Sequence, residues 1–319
     1  MRRFQNQTPI GHEGFGDVVR WMATRKPGPW RKWTDVRPAP APPFRVGRGE
    51  MRVTFVNHST VLVQMDGVNV LTDPIWSERC SPVSFAGPKR VHAPGLRFED
   101  LPPIDVVVVS HNHYDHMDLP TLRRLAVERQ PRIFVPLGNR VTLERRGVRG
   151  VEELDWWQSE RVREGVHVHA VPAQHFSARG LFDRDRALWA GFVVTGPASA
   201  MYFAGDTGFG PHFGEIRERY GPPRLALLPI GAYRPEWFMS RVHTSPDEAL
   251  SAHEILDAGT SVGIHFGTFR LADDGQDEPA ERIEELLRVI EQPPPRFWVL
   301  GPGESRDVPA VEAAERIAR

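Results

Sequence analysis

The nine-residue stretch SHNHYDHMD, from Ser110 to Asp118, contains three histidines and two aspartates. It directly follows four valines, Val106–Val109, which predict a strand buried on both faces of a sheet. In α/β folds, functional side chains collect where buried strands end. The stretch therefore predicts an α/β fold and places its functional site just after this strand.

The spacing within the stretch is H-x-H-x-D-H. His111 and His113 are two residues apart, so on an extended segment their side chains project to one side. Asp115 and His116 follow where the chain turns, and can serve a second metal ion. Two-metal sites hold their ions roughly 3.5–4 Å apart and lower the pKa of a shared water towards ~7. We predict a dinuclear hydrolytic centre here, rather than a cluster of surface histidines.

More ligands are needed to complete two metal sites, and suitable groups follow later strands. They are His175 in PAQH, Asp206 in AGDTG and His265 in GIHFG. Asp206 lies between small residues, so its carboxylate can approach both ions, and with Asp115 it is predicted to orient the attacking water. Cys80 is the only cysteine, which excludes a thiolate-rich site. Five imidazoles and two carboxylates suit two Zn²⁺ ions, with Mn²⁺ or Fe²⁺ as alternatives.

Composition limits the class of protein. The 319 residues are 40% hydrophobic and 25% charged, which is ordinary for a globular protein. A formal net charge of −1 gives no sign of a nucleic-acid-binding protein. One cysteine permits no internal disulfide. No apolar run is long enough to span a membrane, and the N-terminus lacks the apolar segment of a signal peptide, so we expect a cytoplasmic protein.

The chain divides into two parts by composition. Residues 1–50 are rich in proline and carry ten Arg or Lys against four Asp or Glu, and we expect an extended arm. This arm either wraps on the core or contacts anionic lipid through Trp21, Trp30 and Trp33. Residues 51–319 form the predicted hydrolase domain.

The predicted domain alternates strands and helices. Asp66-Gly67 predicts a tight hairpin turn, and Ser245–Glu248 is a capping box for a helix that should end at Gly259. Other predicted elements are a helix over 119–130 with an Asp118 cap, a helix over 281–292, and a last strand in RFWVLGPG, residues 296–303. Together they predict an α/β class fold, a sheet-rich sandwich with its site at strand ends.

Three further residues are candidates for contacts around the metal site. His58 follows a strand and either faces the site or satisfies backbone groups in a turn. Asp73, in Thr72-Asp73-Pro74, is predicted to orient a ligand without binding metal itself. His243 precedes the capping-box helix and is a candidate for contacting a phosphate or a leaving oxygen. His167, His169 and His253 are assigned to structure.

An apolar patch follows the predicted strand LALLPI. It comprises Tyr233, Trp237, Phe238 and Met239, which either pack in the core or line a groove for acyl chains.

The chain resembles the metallo-β-lactamase superfamily in its H-x-H-x-D-H motif with a later His, Asp and His. Longer stretches outside that motif are similar to the family of N-acyl-phosphatidylethanolamine-hydrolysing phospholipases D, from about Val53 to Arg270. Those stretches are TDPIWSERCSPVSFAGPKR, LPPIDVVVVSHNHYDHMD, ELDWWQ, PAQHFSARG, FAGDTG, LALLPIGAYRPEWFM and GIHFGTF.

This resemblance implies an αββα sandwich, two facing mixed sheets with helices outside. It implies that the first metal is held by His111, His113 and His175, the second by Asp115, His116 and His265, and both by Asp206. It also implies a phospholipid substrate, cleaved by hydrolysis of a phosphodiester to an N-acylethanolamine and phosphatidic acid, with peripheral membrane contact and a homodimer as open questions. The alternatives are a lactonase of the same superfamily acting on acyl-homoserine or sugar-phosphate lactones, a di-iron redox protein, and a metal-free binding scaffold.

Overall fold

The computed structural model describes residues 3–11, 14–180, 182–290 and 293–310. Two seven-stranded sheets face each other, and helices cover the outer faces. The strands are β1 Met51–Asn57, β2 Thr60–Met65, β3 Val68–Thr72, β4 Val106–Val108, β5 Arg132–Pro136, β6 Val151–Leu154, β7 Ser159–Arg163, β8 Val166–Val171, β9 Gly191–Thr195, β10 Ala200–Phe203, β11 Leu225–Pro229, β12 Ser261–Ile264, β13 Phe297–Trp298 and β14 Ser305–Asp307. The helices are α1 Phe15–Thr24, α2 Leu119–Glu128, α3 Arg140–Glu144, α4 His212–Tyr220, α5 Glu236–Met239, α6 Pro246–Leu256 and α7 Glu278–Val289.

The first sheet has the strand order β14-β1-β2-β3-β4-β5-β6. Its β1, β2 and β3 form antiparallel hairpins, and β3 to β6 run parallel. Asp66 and Gly67 both have positive φ, 47° and 78°, as the predicted two-residue turn requires. Every residue of β4 is buried, which confirms the strand predicted from the valine run.

The second sheet has the order β13-β12-β11-β10-β9-β8-β7, with β7 to β10 antiparallel and β10 to β13 parallel. Each sheet is thus mixed, with one antiparallel and one parallel half. Since parallel strands end at the same sheet edge, the loops after β4, β10 and β12 gather there.

Three apolar layers hold the sandwich together. The central one joins the facing surfaces of both sheets and includes the fully buried rings of Phe55, Phe134, Phe192 and Phe203. The outer two bury one face of α2 and α3 against the first sheet, and of α4, α6 and α7 against the second. Burying each such large side chain contributes roughly 1.5–3 kcal/mol, so these layers supply most of the driving force. The predicted αββα sandwich is confirmed.

The arm before Met51 is not wholly extended, because it contains α1. Trp21 of this helix stacks on Phe238 with ring centroids 5.0 Å apart, and its indole N–H donates to Asp273. Arg25 makes an ion pair with Asp273 at 2.7 Å. Trp30 donates to the carbonyl of Asp274. The described part of the arm therefore packs on the domain.

Several predicted element ends were wrong. The capping-box helix α6 ends at Leu256, before Gly259, because Asp257 adopts the left-handed conformation. The helix α2 begins at Leu119 with Asp118 at its N-cap position, as predicted, but the Asp118 carboxylate accepts from Ser77 and Thr121 and not from the helix backbone. It ends at Glu128, before the predicted Gln130. The helix α7 begins earlier than predicted, and residues 291–292 lie outside the described residues, as do 311–319. Of the last predicted strand, residues 296–303, only Phe297 and Trp298 form a strand, β13, and the further strand β14 was not predicted.

Within the described residues, no helix has both the length and the apolar character needed to cross a membrane.

Candidate metal centre

All seven predicted ligands converge at one edge of the sandwich. They lie in the loops after β4, β8, β10 and β12 and are His111, His113, Asp115, His116, His175, Asp206 and His265. Six of them are buried and His113 is half-buried. The seven side chains form two groups that Asp206 joins. His58 lies within 4.8 Å of the ligand atoms of Asp115, His116 and His265, and His243 within 4.8 Å of those of His175 and Asp206.

The first group consists of three imidazoles. The Nε2 of His111 and the Nε2 of His175 lie 2.8 and 3.3 Å from the Nδ1 of His113. Burial lowers the pKa of all three, to about 4 for His113 and well below the ordinary value for the other two. A neutral imidazole carries a single N–H, so His113 Nδ1 can donate to one of the two facing nitrogens at most, and at least one lone pair in the group lacks a proton to accept. Neutral imidazole is also the form that binds metals.

The second group mixes imidazole and carboxylate. The Oδ2 of Asp115 lies 3.1 Å from the Nε2 of His116 and 3.3 Å from that of His265. The Oδ2 of Asp206 lies 3.2 and 3.1 Å from the same two nitrogens. A tetrahedral site with metal–ligand bonds of 2.0–2.1 Å has ligand atoms roughly 3.3 Å apart. The four atoms are therefore spaced as ligands of one small cation.

Asp206 is placed between the two groups. Its Oδ2 is also 3.9 Å from the Nε2 of His111 and 3.8 Å from that of His175. Its Oδ1 is buried and accepts no hydrogen bond. A buried carboxylate oxygen without a partner is costly, so this atom fits a site that a cation completes.

The carboxylate of Asp73 orients one histidine of each group. Its Oδ2 accepts from the Nδ1 of His116 at 2.6 Å and from the hydroxyl of Ser110 at 2.6 Å. The Ser110 oxygen in turn lies 2.9 Å from the Nδ1 of His111 and accepts its proton. Both rings are thereby held in the tautomer whose Nε2 lone pair points into the centre. Sequence reasoning missed Ser110, although its position next to His111 could have suggested it.

His175 is fixed from two sides. Its Nδ1 donates to the carbonyl of Val242 at 2.8 Å, which again leaves Nε2 facing the centre. The side chain of Asn6 accepts from the backbone N–H of His175 and donates to its carbonyl. The same Asn6 oxygen accepts from the indole of Trp189. No local pattern in the sequence marks Asn6, because this contact joins residues 169 positions apart.

The centre stabilises positive charge. Burial disfavours a charged imidazole, yet Asp206 and Asp115 raise the pKa of His265 to about 9 and that of His116 well above its ordinary value. Burial would raise the pKa of both carboxyl groups, but His116 lowers it well below the ordinary value. Protons on these rings occupy positions that a metal cation would take, so the residues fit a metal centre.

A cavity of about 320 Å³ opens onto the centre. Its floor includes His113, Asp115, Asp206 and His265, and its walls are mostly apolar. The apolar wall residues are Val18, Trp21, Phe176, Ala232, Phe238, Met239, Val242, Leu271 and Ala272. Arg184 is the one Arg or Lys among the described residues of the lining, and its guanidinium stacks on Phe176 at 4.2 Å.

The other predicted residues divide between the cavity and its surroundings. His243 lines the cavity, with Nδ1 3.9 Å from Asp206 Oδ2. Phe238 and Met239 also line it. Tyr233 and Trp237 do not: the Tyr233 hydroxyl donates to Glu278 in a neighbouring polar groove, and Trp237 is 41% exposed. The predicted patch is split because Tyr233 lies before α5 and Trp237, within α5, faces solvent while Phe238 and Met239 face the cavity.

The histidines assigned to structure lie away from the cavity. His169 contacts Thr195 and the ring of Tyr220, and His253 contacts Ser261.

Comparison with known proteins relates this arrangement to described families. Residues 68–266 match the model of the Beta-lactamase superfamily domain. The chain is 43% identical over 249 residues to N-acyl-phosphatidylethanolamine-hydrolyzing phospholipase D 1 of Caenorhabditis elegans, covering 75% of this chain and 70% of that protein. It is 33% identical over 264 residues to a UPF0173 metal-dependent hydrolase of Methanopyrus kandleri, covering 80% and 99%. Of two other curated relatives the chain spans only 65% and 51% of the length.

Among solved structures, the fold is similar to that of Igni18, a metallo hydrolase from the hyperthermophilic archaeon Ignicoccus hospitalis. The TM-score is 0.60 at 24% identity, covering 81% of this chain and 98% of the other. At that identity the likeness concerns the fold alone. Together with the sequence matches, it confirms the resemblance predicted from the motif.

Proposed function

The chain belongs to the metallo-β-lactamase superfamily and is a metal-dependent hydrolase, and from this premise we propose that it is a phospholipase D-type phosphodiesterase. Its proposed substrate is N-acyl-phosphatidylethanolamine, cleaved to an N-acylethanolamine and phosphatidic acid. The observation that carries the proposal is the apolar cavity whose floor is the cluster of His and Asp side chains. A lipid that carries a phosphodiester needs both an apolar wall and a polar reacting end.

The proposed ligands follow from the two groups of side chains. His111, His113 and His175 would hold one Zn²⁺ ion, and Asp115, His116 and His265 a second, with Asp206 reaching both. When bound, such ions supply a nucleophilic water at neutral pH and offset the charge that develops on the phosphate.

The remaining cavity residues position the substrate. Trp21, Phe238 and Met239 would hold an acyl chain and exclude water from the reacting end. The Arg184 guanidinium provides a fixed positive charge for the phosphate. Burial lowers the pKa of His243 to about 4, so at neutral pH its neutral ring can accept or donate a hydrogen bond at the leaving oxygen.

The test is mass spectrometry of the products formed from N-acyl-phosphatidylethanolamine vesicles by the zinc-loaded protein. We expect N-acylethanolamine and phosphatidic acid, and the loss of both after chelation. Metal-loaded protein that hydrolyses a lactone panel but no phosphodiester would replace the proposal with the lactonase alternative. Iron bound in place of zinc, with no hydrolysis, would favour the di-iron redox alternative.

We predict that Phe238→Ala raises KM for long-chain lipid substrates and leaves the hydrolysis of short ones nearly unchanged. The truncation removes apolar surface next to Trp21, with a loss of about 1.5–3 kcal/mol for a bound chain, or roughly 10- to 100-fold in KM for long-chain lipid. A short, water-soluble phosphodiester should be hydrolysed at nearly the wild-type rate. Phe85→Ala is the matched control, since Phe85 is 81% exposed and does not line the cavity. Equal effects on short and long substrates would contradict the acyl-chain role of Phe238.

Membrane contact is proposed through α1, the helix of the arm that carries Trp21. Val19 and Met22 on the outer face of α1 are 48% and 69% exposed, next to Val18 and Trp21 of the cavity wall. Trp237 is 41% exposed and lies under the guanidinium of Arg20, another residue of α1, at 4.5 Å.

We therefore predict that Val19→Asp with Met22→Asp lowers binding to vesicles of anionic phospholipid by roughly tenfold or more. Sedimentation with vesicles measures this. Val127→Asp is the control, because Val127 is 65% exposed on α2, which packs on the first sheet and does not line the cavity. Unchanged vesicle binding in the double variant would remove α1 as the contact.

A further inference from the structure

His58 occupies the turn between β1 and β2, in a position that fixes the backbone of a proposed ligand. It is buried, and its φ of 48° is uncommon for a residue with a side chain. Its carbonyl accepts from the backbone N–H of His265 at 3.0 Å, and its own N–H donates to the hydroxyl of Thr268 at 2.9 Å. His265 also has a positive φ, of 62°. The turn of the first sheet therefore holds the loop after β12 of the second sheet.

The side chain of His58 contacts a second proposed ligand. Its Nε2 donates to the Oδ2 of Asp115 at 2.9 Å, the oxygen that faces His116 and His265. The ring also packs on that of His265 with centroids 4.2 Å apart, and against the edge of Phe269 at 5.3 Å. One residue thus restrains two of the three ligands that belong to the second group alone.

The Nε2 of His58 lies within 4.8 Å of the ligand atoms of Asp115, His116 and His265, but its distance to Asp206 sets it apart from the two histidines of this group. His116 and His265 each lie within 4 Å of both Asp115 and Asp206. Among the described residues, Asp115 is the one carboxylate within that distance of His58. A histidine that bound the second ion would be expected to lie close to Asp206, as His116 and His265 do. The donor role of His58 Nε2 is also the role that partners of metal ligands have in other proteins.

A purely structural histidine would look different. His253 is also buried, and its Nδ1 makes a hydrogen bond with Ser261 at 2.7 Å, but it belongs neither to the cluster of possible metal ligands nor to the cavity lining. The Nδ1 of His58, in contrast, is buried with no hydrogen-bond partner, while its Nε2 is committed to Asp115. The His58 ring is therefore kept with its Nδ1 unsatisfied, which is costly for a buried polar atom, while its Nε2 contacts a proposed metal ligand.

From this geometry we propose that His58 is a positioning residue that holds Asp115 and His265 in place and so determines the metal affinity of the second group alone. The inference rests on the proposed two-ion centre and adds to it a residue that links the hairpin of the first sheet to Asp115, after β4 of the same sheet, and to His265, after β12 of the second sheet.

The test measures metal binding without any lipid. Zinc is titrated into metal-free protein against a chromophoric chelator, and bound zinc is counted by mass spectrometry. We expect two ions in the wild type, and in His58→Ala a second ion weakened by about 10- to 100-fold with the first unchanged within about twofold. His58→Gln, whose amide can donate to Asp115, should recover part of the loss. In His253→Ala both affinities should stay at wild-type values.

Three results would overturn the inference. They are a folded His58→Ala protein with an unchanged second affinity, equal weakening of both ions, and a wild type that binds a single ion. Should His58→Ala fail to fold by circular dichroism, His58→Gln and His58→Asn decide the question, because the amide of Gln can place a donor where Nε2 lies and the shorter amide of Asn cannot. A second affinity that is equal in the two variants, or weaker in His58→Gln, would contradict the donor role. The proposed phosphodiesterase activity can fail in the product analysis while these affinities still behave as expected, so the two failures are distinguishable.

Discussion

Asp206→Asn is expected to reduce kcat/KM by on the order of 10³-fold or more while the protein remains folded. The substitution keeps the shape of the side chain but removes its charge and one of its acceptor oxygens. The Oδ2 of Asp206 is within 4 Å of five ring nitrogens, those of His243 and of the four proposed ligands His111, His116, His175 and His265. No other described carboxylate reaches both groups in this way, so both should lose metal affinity. Turnover of lipid vesicles and bound zinc are the measurements.

His113→Ala should have a similar effect, since its Nδ1 is the atom that both His111 and His175 face. The matched control is Asp307→Asn, which removes the same charge from a residue whose side chain is 79% exposed and pairs with Arg52. An exposed pair contributes about 1 kcal/mol or less, so activity should be unchanged. Near-normal turnover by metal-saturated Asp206→Asn would show that the ligand set is wrong.

Gly205→Ala is expected to destabilise the protein by about 2–4 kcal/mol and to lower its activity as well. Gly205 has a φ of 64°, in the left-handed region that side chains disfavour. An added Cβ would lie 2.5 Å from the Cβ of Ser110 and 3.0 Å from its hydroxyl oxygen. Ser110 links Asp73 to His111, and Gly205 directly precedes Asp206, so relieving the clash must move ligands of both groups. Urea unfolding gives the free energy, and zinc content gives the effect on the centre.

Gly214→Ala provides the comparison. Gly214 lies inside α4, where an added Cβ has its nearest neighbour at 4.0 Å, and alanine favours helix over glycine by roughly 0.5–1 kcal/mol. This variant should be as stable as the wild type or slightly more so. If Gly205→Ala unfolded at the same urea concentration as Gly214→Ala, the close approach of the two loops would not be required.

The parts of the centre that could be predicted from the sequence are those with a local pattern. The spacing of the six residues from His111 to His116, directly after a buried strand, is itself typical of a metal-binding motif. His175, Asp206 and His265 were found because each follows a recognisable strand, and strand ends gather at one edge of a sheet. Whether all seven bind metal stays a prediction, which the metal measurements above test.

Contacts between segments that are distant in the chain leave no local pattern in the sequence, so they could not be predicted. Asn6 reaches His175 across 169 positions, and the wall of the cavity includes Val18 and Trp21 from a segment predicted to be extended. The helix α1 begins at a glycine cap and contains two valines, so its own propensity is weak. It is held by Asp273, some 250 residues later. Short isolated helices need such tertiary contacts, which is why the sequence alone did not indicate it.

The side chains of the centre come from positions as far apart as 111 and 265, in loops of both sheets. A bound metal would therefore act as a covalent-like cross-link between the two halves of the sandwich, in a chain whose single cysteine cannot form one. Because the unfolded chain does not assemble this group, every increment of binding energy would add to the free energy of unfolding, by about 4 kcal/mol at a free metal concentration a thousand times Kd. Metal supply would then set the lifetime of the protein as well as its activity.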